Sequence, residues 1–444
     1  MNIVLPAQVR FIIDTLENSG FEAYAVGGCI RDSFLGKEPK DWDICTSALP
    51  EQTMRVFDGQ HIIETGLKYG TITLMSDHQP FEITTYRADR KYSDNRRPDS
   101  VKFVSVLKRD LARRDFTINA MAYSPRAGLA DYYGGVRDLA DKKIKCVGNP
   151  DKRFGEDALR IMRTLRFAST LGFEIEDGTS DGVRRNRELL RNIAAERISA
   201  ELNKLLTGGG VGEILRGYTD VLSMIIPEIE SMVGFRQNTP YHYLDVWEHT
   251  VTSIENAPPD PLLRLTMLLH DIAKPKCYTE SDSRGHFHGH PHVSSDMAVK
   301  IMKRLKYSGE AVGTVSCLVL HHDEPIEPTQ KSVRRWLSRI GEQRLLQLIE
   351  VKRADAMAQS ERYRYEKLSA LDRVPPIIDE IVREQLCFSL KDLAVSGKDL
   401  LDLGVPQGGL IGEILNKLLD MVISELVANE KEALLCFVAE FLEG

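Results

Sequence analysis

Two glycines and two aspartates near the amino terminus have a spacing that could bind a triphosphate and its metal ions. Gly27 and Gly28 follow a short apolar segment, and glycine backbone can approach phosphates closely. Arg31 lies one turn on and can pair with phosphate oxygens. Asp41 and Asp43 would share one face of a strand, where two carboxylates can hold a pair of Mg²⁺ ions for a displacement at phosphorus. An isolated Asp-x-Asp is more often a pair of surface acids, but the glycines ahead of it favour the catalytic interpretation.

Two arginine-rich segments further along could bind the rest of a nucleotide. Arg113 and Arg114 suit a triphosphate, and Asp115 could accept hydrogen bonds from ribose hydroxyls or cap a helix. A second group recurs every three residues and drifts slowly along one helical face: Asp157, Arg160, Arg163 and Arg166. An Asp acceptor with an Arg donor one turn on matches the edges of cytosine and adenine, and the later arginines could hold phosphates or stack. The alternative is a solvated, arginine-rich face.

Histidines are concentrated in one part of the chain, since nine of the eleven lie between His242 and His322. This concentration suggests metal ligation, because neutral imidazole is the commonest protein metal ligand. His270 and Asp271 are adjacent at the end of an apolar segment, where both side chains could reach one metal. The alternative is a metal-free helical bundle with histidines on its surface, where we place His286, His288, His292 and His321.

The chain has 444 residues and a net charge of -7, which at first argues against a nucleic-acid partner. However, residues 84–166 carry twenty Lys and Arg against eleven Asp and Glu, a balance of +9, and the remainder carries -16. A basic segment inside an acidic protein predicts a phosphate-binding region, although chance clustering on a solvated face is the alternative.

We read no signal peptide and no bilayer-spanning apolar run, so we expect no membrane partner. Seven scattered cysteines without zinc or redox spacing predict a cytoplasmic protein.

The elements that must position these residues change in type along the chain. Strands are predicted at residues 21–26, 43–46, 71–75 and 81–86, and a mobile loop at 87–99. Helical periodicity dominates from residue 115, with strong helices at 154–171 and 191–206. The fold class is therefore α+β, a small α/β head followed by an all-helical remainder.

These motifs, in this order, resemble the class II tRNA nucleotidyltransferases, which comprise CCA-adding enzymes and bacterial poly(A) polymerases. Residues 113–116 resemble the family's ribose motif, 131–139 its hinge, 156–167 its base-selecting helix and 195–202 its neck helix. Residues 65–73 look like the CCA-adding version of their strand, and 94–98 like the loop used in switching from C to A. The resemblance implies that Asp41 and Asp43 are catalytic and bind Mg²⁺. It implies that ATP or CTP is bound by Gly27, Gly28, Arg31, Arg114, Asp115, Asp157, Arg160, Arg163 and Arg166.

The histidine-rich part resembles the HD phosphohydrolase superfamily. The matching residues are His249, His270, Asp271 and Asp355, and His290 and His322 match the extra histidines of two-metal members. The resemblance implies a divalent metal ion (Mn, Ni, Fe, Zn or Mg) and hydrolysis of a phosphate ester.

By resemblance, the chain has a polymerase-β-like nucleotidyltransferase head (1–125), a helical neck (126–210), a helical body (211–240), an HD domain (241–365) and a tRNA-binding helical tail (366–444). The expected function is addition of C, C and A to tRNA 3′ ends from CTP and ATP with release of pyrophosphate. The alternatives are a poly(A) polymerase, an enzyme adding only CC or only A, an HD-type RNA-end phosphohydrolase with an RNA-binding head, and a non-catalytic RNA-binding protein.

Overall fold

The computed structural model describes residues 3–90 and 100–443. The chain divides into two compact units, Met1–Pro227 and Glu228–Gly444. Within those described ranges, no helix has both the length and the apolar character needed to cross a bilayer.

The first unit contains most of the strands. They are β1 (Ala23–Val26), β2 (Ile44–Thr46), β3 (Ile62–Gly66), β4 (Thr71–Ser76), β5 (Gln79–Thr85), β6 (Arg87–Arg90), β7 (Ser100–Phe103), β8 (Met121–Ser124), β9 (Gly128–Asp131), β10 (Lys143–Ile144) and β11 (Glu174–Ile175). Seven of them form one mixed sheet in the order β3-β4-β5-β2-β1-β8-β9. β2 and β5 run parallel and the other neighbours antiparallel. Alternate residues of β4 and β5, such as Ile72, Leu74, Phe81 and Ile83, are buried, as expected of a sheet with one face on the core.

Helices cover this sheet and continue beyond it. They are α1 (Ala7–Asn18), α2 (Gly28–Phe34), α3 (Pro50–Val56), α4 (Leu107–Ala112), α5 (Gly135–Ala140), α6 (Pro150–Glu156), α7 (Leu159–Leu171), α8 (Asp177–Asn186), α9 (Ala195–Leu206), α10 (Val211–Gly217) and α11 (Thr219–Leu222). Short 3₁₀ turns span Leu67–Tyr69, Thr117–Asn119 and Arg187–Asn192. α7 packs against α9, and this pair positions the predicted base-selecting residues.

The second unit is largely helical. Its helices are α12 (Val246–Asn256), α13 (Pro261–Leu269), α14 (Lys274–Cys277), α15 (His290–Arg304), α16 (Gly309–His321), α17 (Gln330–Ile340), α18 (Glu342–Met357), α19 (Glu361–Asp372), α20 (Val374–Arg383), α21 (Gly397–Asp402), α22 (Gly409–Ile423) and α23 (Lys431–Glu443). A short hairpin is formed by β12 (Thr279–Ser281) and β13 (Arg284–His286). α13 packs against α12, α15, α16 and α18, whereas α21, α22 and α23 surround a separate apolar cluster that includes Leu400, Leu418 and Leu434.

The predicted α+β class is confirmed, with three local differences. The predicted helix 154–171 is two helices, because Asp157 is extended (φ -138°, ψ 102°) and its side chain accepts from the Leu159 amide at the start of α7. Residues 87–90, predicted as loop, pair with Ser100–Phe103, and the predicted switching loop 94–98 lies outside the described residues. Helices do dominate the later part of the chain, as predicted, but they begin to do so after residue 115, because β8 and β9 extend the sheet to Asp131. The domain boundaries stay a prediction.

Candidate active site and metal centre

A tight turn joins β1 to α2 and carries the predicted glycines. Gly27 has φ +88°, and a Cβ there would lie 2.9 Å from Arg114 Nη1, so a side chain would displace that guanidinium. α2 begins at Gly28, and Arg31 lies in its first turns. Arg31 donates from Nε to Asp32 Oδ1 at 2.9 Å and from Nη1 to Asn119 Oδ1 at 2.6 Å. The structure therefore brings Gly27, Arg31 and Arg114 to one turn.

The two predicted catalytic aspartates lie beside this turn, in the extended residues before β2 rather than within the strand. The Val26 amide donates to the Asp43 carbonyl at 2.9 Å, which places Asp43 next to the residue preceding Gly27. Partial desolvation raises the pKa of Asp43, Arg114 opposes that shift, and the charge of Asp41 adds to it. A cluster of hard oxygen donors that repel one another fits a divalent cation such as Mg²⁺.

Glu82 is a third carboxylate at this position, and the sequence analysis missed it. Burial raises the pKa of Glu82, and the charges of Asp43 and Asp41 raise it further. The parallel pairing of Ile44 with Ile83 explains the proximity, because each acid directly precedes its paired residue. The residues around Glu82 in the sequence do not indicate this proximity, because it depends on the register of β2 on β5.

The predicted arginines after α4 are held by a buried acid that the sequence analysis also missed. Asp110 is fully buried and accepts from Arg113 Nε at 3.0 Å, and Arg114 Nη2 lies 3.5 Å from its other oxygen. The Arg114 Nε atom is buried without a hydrogen-bond partner among the described residues. Asp110 therefore anchors one end of the Arg114 guanidinium while Nη1 stays next to the Gly27 turn.

Asp115, predicted to meet a ribose or cap a helix, is surrounded by protein donors. Its Oδ1 accepts from the Phe116 amide at 2.8 Å and from Asn119 Nδ2 at 3.0 Å. Its Oδ2 accepts from both Nε and Nη2 of Arg163. Burial alone would raise the pKa of Asp115, but Arg163 and Asn119 hold it well below its ordinary range. The carboxylate is therefore ionised and ties α7 to the ribose motif.

Asp157 lies at the break between α6 and α7. Its Oδ1 accepts from the Leu159 amide at 3.2 Å, and Arg197 Nη2 on α9 donates to its Oδ2 at 3.4 Å. The side chain is thus oriented from two directions, with part of its surface open to a base.

Arg160 is buried and held by different partners. It donates from Nη1 to Glu156 Oε2 at 3.0 Å and to the Arg153 carbonyl at 3.2 Å, and from Nη2 to the Arg113 carbonyl at 2.8 Å. The predicted Asp157 and Arg160 pair is thus preorganised by residues on α6, α9 and the ribose motif.

Three guanidinium groups surround one aromatic ring at the middle of α7. The centroid of Phe167 lies 3.6 Å from the guanidinium carbon of Arg166, 5.0 Å from that of Arg31 and 5.3 Å from that of Arg163. Arg166 also donates to Glu201 Oε2 on α9 at 2.8 Å. The ring and Glu201 hold these cations together, although like charges repel. A polyanion is the ligand that suits this arrangement.

The second unit brings together all six residues of the predicted metal centre. His249 lies on α12, His270 and Asp271 directly follow α13, His290 begins α15, His322 follows α16, and Asp355 lies on α18. They form two groups whose potential ligand atoms lie within 4.8 Å of one another: His249, His270 and Asp355 in the first, and Asp271, His290 and His322 in the second.

Asp271 faces both groups. Its Oδ2 lies 3.2 Å from His270 Nε2 and 3.6 Å from His249 Nε2, whereas its Oδ1 lies 3.3 Å from His290 Nε2 and 3.6 Å from His322 Nε2. A carboxylate in this position can bridge two ions.

The four imidazoles present the same nitrogen to the centre. Each Nδ1 lies against a backbone carbonyl and each Nε2 points inward, which fixes the tautomer that a metal ligand needs. The pairs are His249 with Ala358 at 3.3 Å, His270 with Met267 at 2.7 Å, His290 with Phe287 at 2.9 Å and His322 with Val319 at 2.7 Å.

Buried atoms without hydrogen bonds support a metal at this centre. His270 Nε2 and both oxygens of Asp271 are buried without a hydrogen bond of normal geometry among the described residues. Burial alone would raise the pKa of Asp271 and of Asp355. The neighbouring imidazoles and Lys274 instead hold the pKa of Asp271 well below its ordinary range. His249 and His270 do the same for the pKa of Asp355. Both carboxylates are thus in the form that binds metal.

A cavity of about 550 Å³ opens onto this centre. Lys274 lines it, with Nζ 2.7 Å from Asp271 Oδ2 and donating to Gln237 Oε1 at 2.8 Å. His242 lines it as well, with Nδ1 on Thr239 Oγ1 at 2.9 Å. The sequence analysis assigned neither residue to the site, although Lys274 follows the His-Asp pair by one helical turn.

Gln359 and Lys367 extend the centre on the Asp355 side. Gln359 Nε2 donates to Asp355 Oδ2 at 2.7 Å, and Lys367 Nζ donates to Gln359 Oε1 at 2.7 Å. Asp355 Oδ1, the oxygen near the imidazoles, is thereby the one left for a metal.

One histidine predicted on the surface is buried. His321 is 4% exposed because its ring packs edge-on against Trp336 and its Nδ1 meets Glu324 Oε1 at 3.2 Å. His288 and His292 are exposed, as predicted.

Three family models match separate parts of the chain. The Poly A polymerase head domain matches residues 23–145, the RNA and SrmB-binding site of polymerase A matches 172–232, and tRNA nucleotidyltransferase domain 2 matches 290–438.

Curated relatives match over nearly the full length. The CCA-adding enzyme of Levilactobacillus brevis is 34% identical, with 97% of each chain covered, and that of Lactobacillus helveticus is 32% identical, with 95% and 94% covered. The crystal structure of the Bacillus stearothermophilus CCA-adding enzyme in complex with CTP is 27% identical, covers 98% of this chain and 96% of its own, and has a TM-score of 0.70. The Thermotoga maritima CCA-adding enzyme complexed with tRNA, 20% identical over 99% of this chain and 97% of its own at a TM-score of 0.59, shares the fold. These matches confirm the predicted family and its polymerase-β-like head, and the chain belongs to the family of CCA-adding enzymes.

Proposed function

We propose that this protein adds C, C and A to the 3′ ends of tRNA, taking the residues from CTP and ATP and releasing pyrophosphate. The proposal rests on one observation. Asp41 and Asp43 lie beside the Gly27 turn, next to Arg31, Arg114 and the base-selecting helix. Full-length relatives named CCA-adding enzymes, one of them solved with CTP and another with tRNA, support the choice of substrates. The family implies dependence on a divalent metal.

In this proposal the tRNA 3′ hydroxyl attacks the α-phosphate of the bound nucleotide. Asp41 and Asp43 would hold Mg²⁺, which when bound supplies charge stabilisation for the attacking and leaving oxygens. Arg31 and Arg114 neutralise the triphosphate, while Asp157 accepts from the base amino group and Arg160 donates to the ring nitrogen. Since both base contacts are preorganised by protein partners, cytosine and adenine are chosen without a template strand.

The assay gives the purified protein a tRNA lacking its 3′ CCA, with labelled CTP and ATP supplied separately and together. We expect two C residues and one A with both nucleotides, and no incorporation by Asp41→Ala. A long A tail from ATP alone would replace this proposal with a poly(A) polymerase. No incorporation by a folded protein with Mg²⁺ present would refute nucleotide addition.

We further propose that the histidine-aspartate centre holds divalent metal and hydrolyses a phosphate ester. Two adjoining ligand groups, four imidazoles of one tautomer and a cavity with a buried lysine support this second activity. A divalent ion bound there would supply Lewis-acid activation of water and phosphate, and Lys274 would offer positive charge to the phosphate oxygens.

Release of p-nitrophenol from bis(p-nitrophenyl) phosphate, with Mn²⁺ or Ni²⁺ added, tests this hydrolase. Asp271→Asn should abolish release while CCA addition continues, and Asp41→Ala should do the reverse. Equal release by Asp271→Asn and the unaltered protein would assign the hydrolysis elsewhere.

We also propose a cytoplasmic location, which fits the seven free cysteines.

A further inference from the structure

Asn119 lies between two parts of the head site that bind different portions of a nucleotide. It ends the 3₁₀ turn Thr117–Asn119 and is 7% exposed. Its backbone oxygen would lie 3.8 Å from a Cβ placed on Gly27, so Asn119 sits directly under the glycine turn.

The side-chain amide of Asn119 bridges a cation and an anion. Its Oδ1 accepts from Arg31 Nη1 at 2.6 Å, and its Nδ2 donates to Asp115 Oδ1 at 3.0 Å. Because a guanidinium only donates and a carboxylate only accepts, this amide orientation is the one that satisfies both neighbours. No other uncharged residue type of this length offers a donor and an acceptor on one planar group.

The bridge continues into the base-selecting helix. Asp115 Oδ2 accepts from Arg163 Nε at 2.9 Å, and Arg163 and Arg31 both lie over the ring of Phe167. These contacts form a closed network that joins Arg31, which is predicted to bind the triphosphate, to α7. Its members are Arg31, Asn119, Asp115, Arg163 and Phe167. Buried polar networks of this kind are rigid when every member is satisfied.

We propose that Asn119 is a positioning residue for nucleotide addition, which holds the Arg31 guanidinium in a fixed position relative to the Asp115–Arg163 pair. The inference rests on the proposed function of the head site. Asn119 itself meets no substrate: it acts through Arg31 on the phosphates and through Asp115 on the helix that selects the base. Its loss should weaken binding of both CTP and ATP, because Arg31 and the base-selecting helix are then no longer held in a fixed relative position.

The test variant is Asn119→Asp, which keeps the side-chain shape and the acceptor for Arg31 but turns the donor toward Asp115 into a second acceptor. We expect the KM for CTP and for ATP to rise about 10- to 100-fold, the cost of a lost buried hydrogen bond to a charged group, while kcat changes much less. Asn119→Ala, which removes both contacts without adding charge, should raise both KM values in the same direction and covers the case in which Asn119→Asp does not fold.

A further variant is the swap Asp115→Asn with Asn119→Asp. It restores a donor opposite an acceptor at the centre of the network and leaves Arg31 and Arg163 each with an acceptor, but the Phe116 amide loses the Asp115 Oδ1 acceptor. KM should therefore recover only in part relative to Asn119→Asp, because the repulsion between two facing carboxylates is removed. Asn18→Asp is the matched control, because Asn18 Oδ1 accepts from Arg126 Nη2 at 3.1 Å on the surface and an aspartate keeps that contact. Its KM should not change.

The outcomes separate this inference from the function it rests on. An unaltered protein that adds no nucleotide refutes the proposed function. An active unaltered protein, with folded Asn119→Asp and Asn119→Ala of unchanged KM, refutes the positioning role alone.

Discussion

Replacing Gln359 by leucine should weaken metal binding at the histidine-aspartate centre without touching a ligand. Gln359 is 4% exposed, and its Nε2 donates to the Asp355 oxygen that faces away from the imidazoles. Lys367 fixes the orientation of the amide by donating to its oxygen. Without the amide, the Asp355 carboxylate keeps its 2.8 Å contact between Oδ1 and His249 Nε2 but loses the hydrogen bond that orients it from the other side.

The size of the effect follows from how well water can replace the amide. Loss of a hydrogen-bond partner of a metal ligand typically costs about 10- to 100-fold in affinity, or about 1.4 to 2.7 kcal/mol. The Asp355 side chain is 14% exposed and Lys367 lies on the surface, so water can reach the freed oxygen. We therefore expect the lower end of that range, about a tenfold rise in Kd.

The measurement is titration with Mn²⁺, following free Mn²⁺ by electron paramagnetic resonance. An Asp41→Ala background, used throughout, removes the head site from the titration. Gln343→Leu is the control, because it makes the same substitution at an exposed position of α18. Equal Kd values for Gln359→Leu and Gln343→Leu would refute the role of the amide. Absence of Mn²⁺ binding in the Asp41→Ala background itself would refute the metal centre.

Three further results are expected. Arg197→Met should reduce the preference for CTP over UTP, measured as the ratio of kcat/KM values, because Asp157 loses one of the two donors that orient it; an unchanged ratio would contradict this. Glu201→Gln should raise KM for both CTP and ATP about tenfold, since the carboxylate that accepts from Arg166 and lies 3.9 Å from Arg163 Nη1 loses its charge; unaltered kinetics would show that this charge does not align the two arginines. Addition of a chelator should lower the thermal unfolding midpoint of the unaltered protein but leave Asp271→Asn unmoved, because metal stabilises only the state that binds it; equal shifts in both proteins would place the stabilising ion elsewhere.

The chemical groups of the head site were predictable because they occur in short, ordered motifs. Gly27 lies in the turn after a predicted strand, whereas Asp41 and Asp43 were predicted within a strand and lie directly before it. Of the acids that complete the site, Glu82 was not predictable in this way, because it comes next to Asp43 only through the parallel register of β2 and β5. Asp110 precedes Arg113 and Arg114 by three and four residues, a local helical spacing from which the contact could have been predicted.

The sequence alone determined the family, the α+β order of elements and the motif residues of both candidate centres, since these depend on residue types and short spacings. The tertiary structure decided which partners those residues have. Asp115 faces four protein donors, Asp157 pairs with a residue forty positions away, and six candidate ligands from five helical segments divide into two groups around Asp271. The physical reason is that a hydrogen bond or a metal site depends on atomic distances of a few ångströms, and only the packing of distant segments sets those distances.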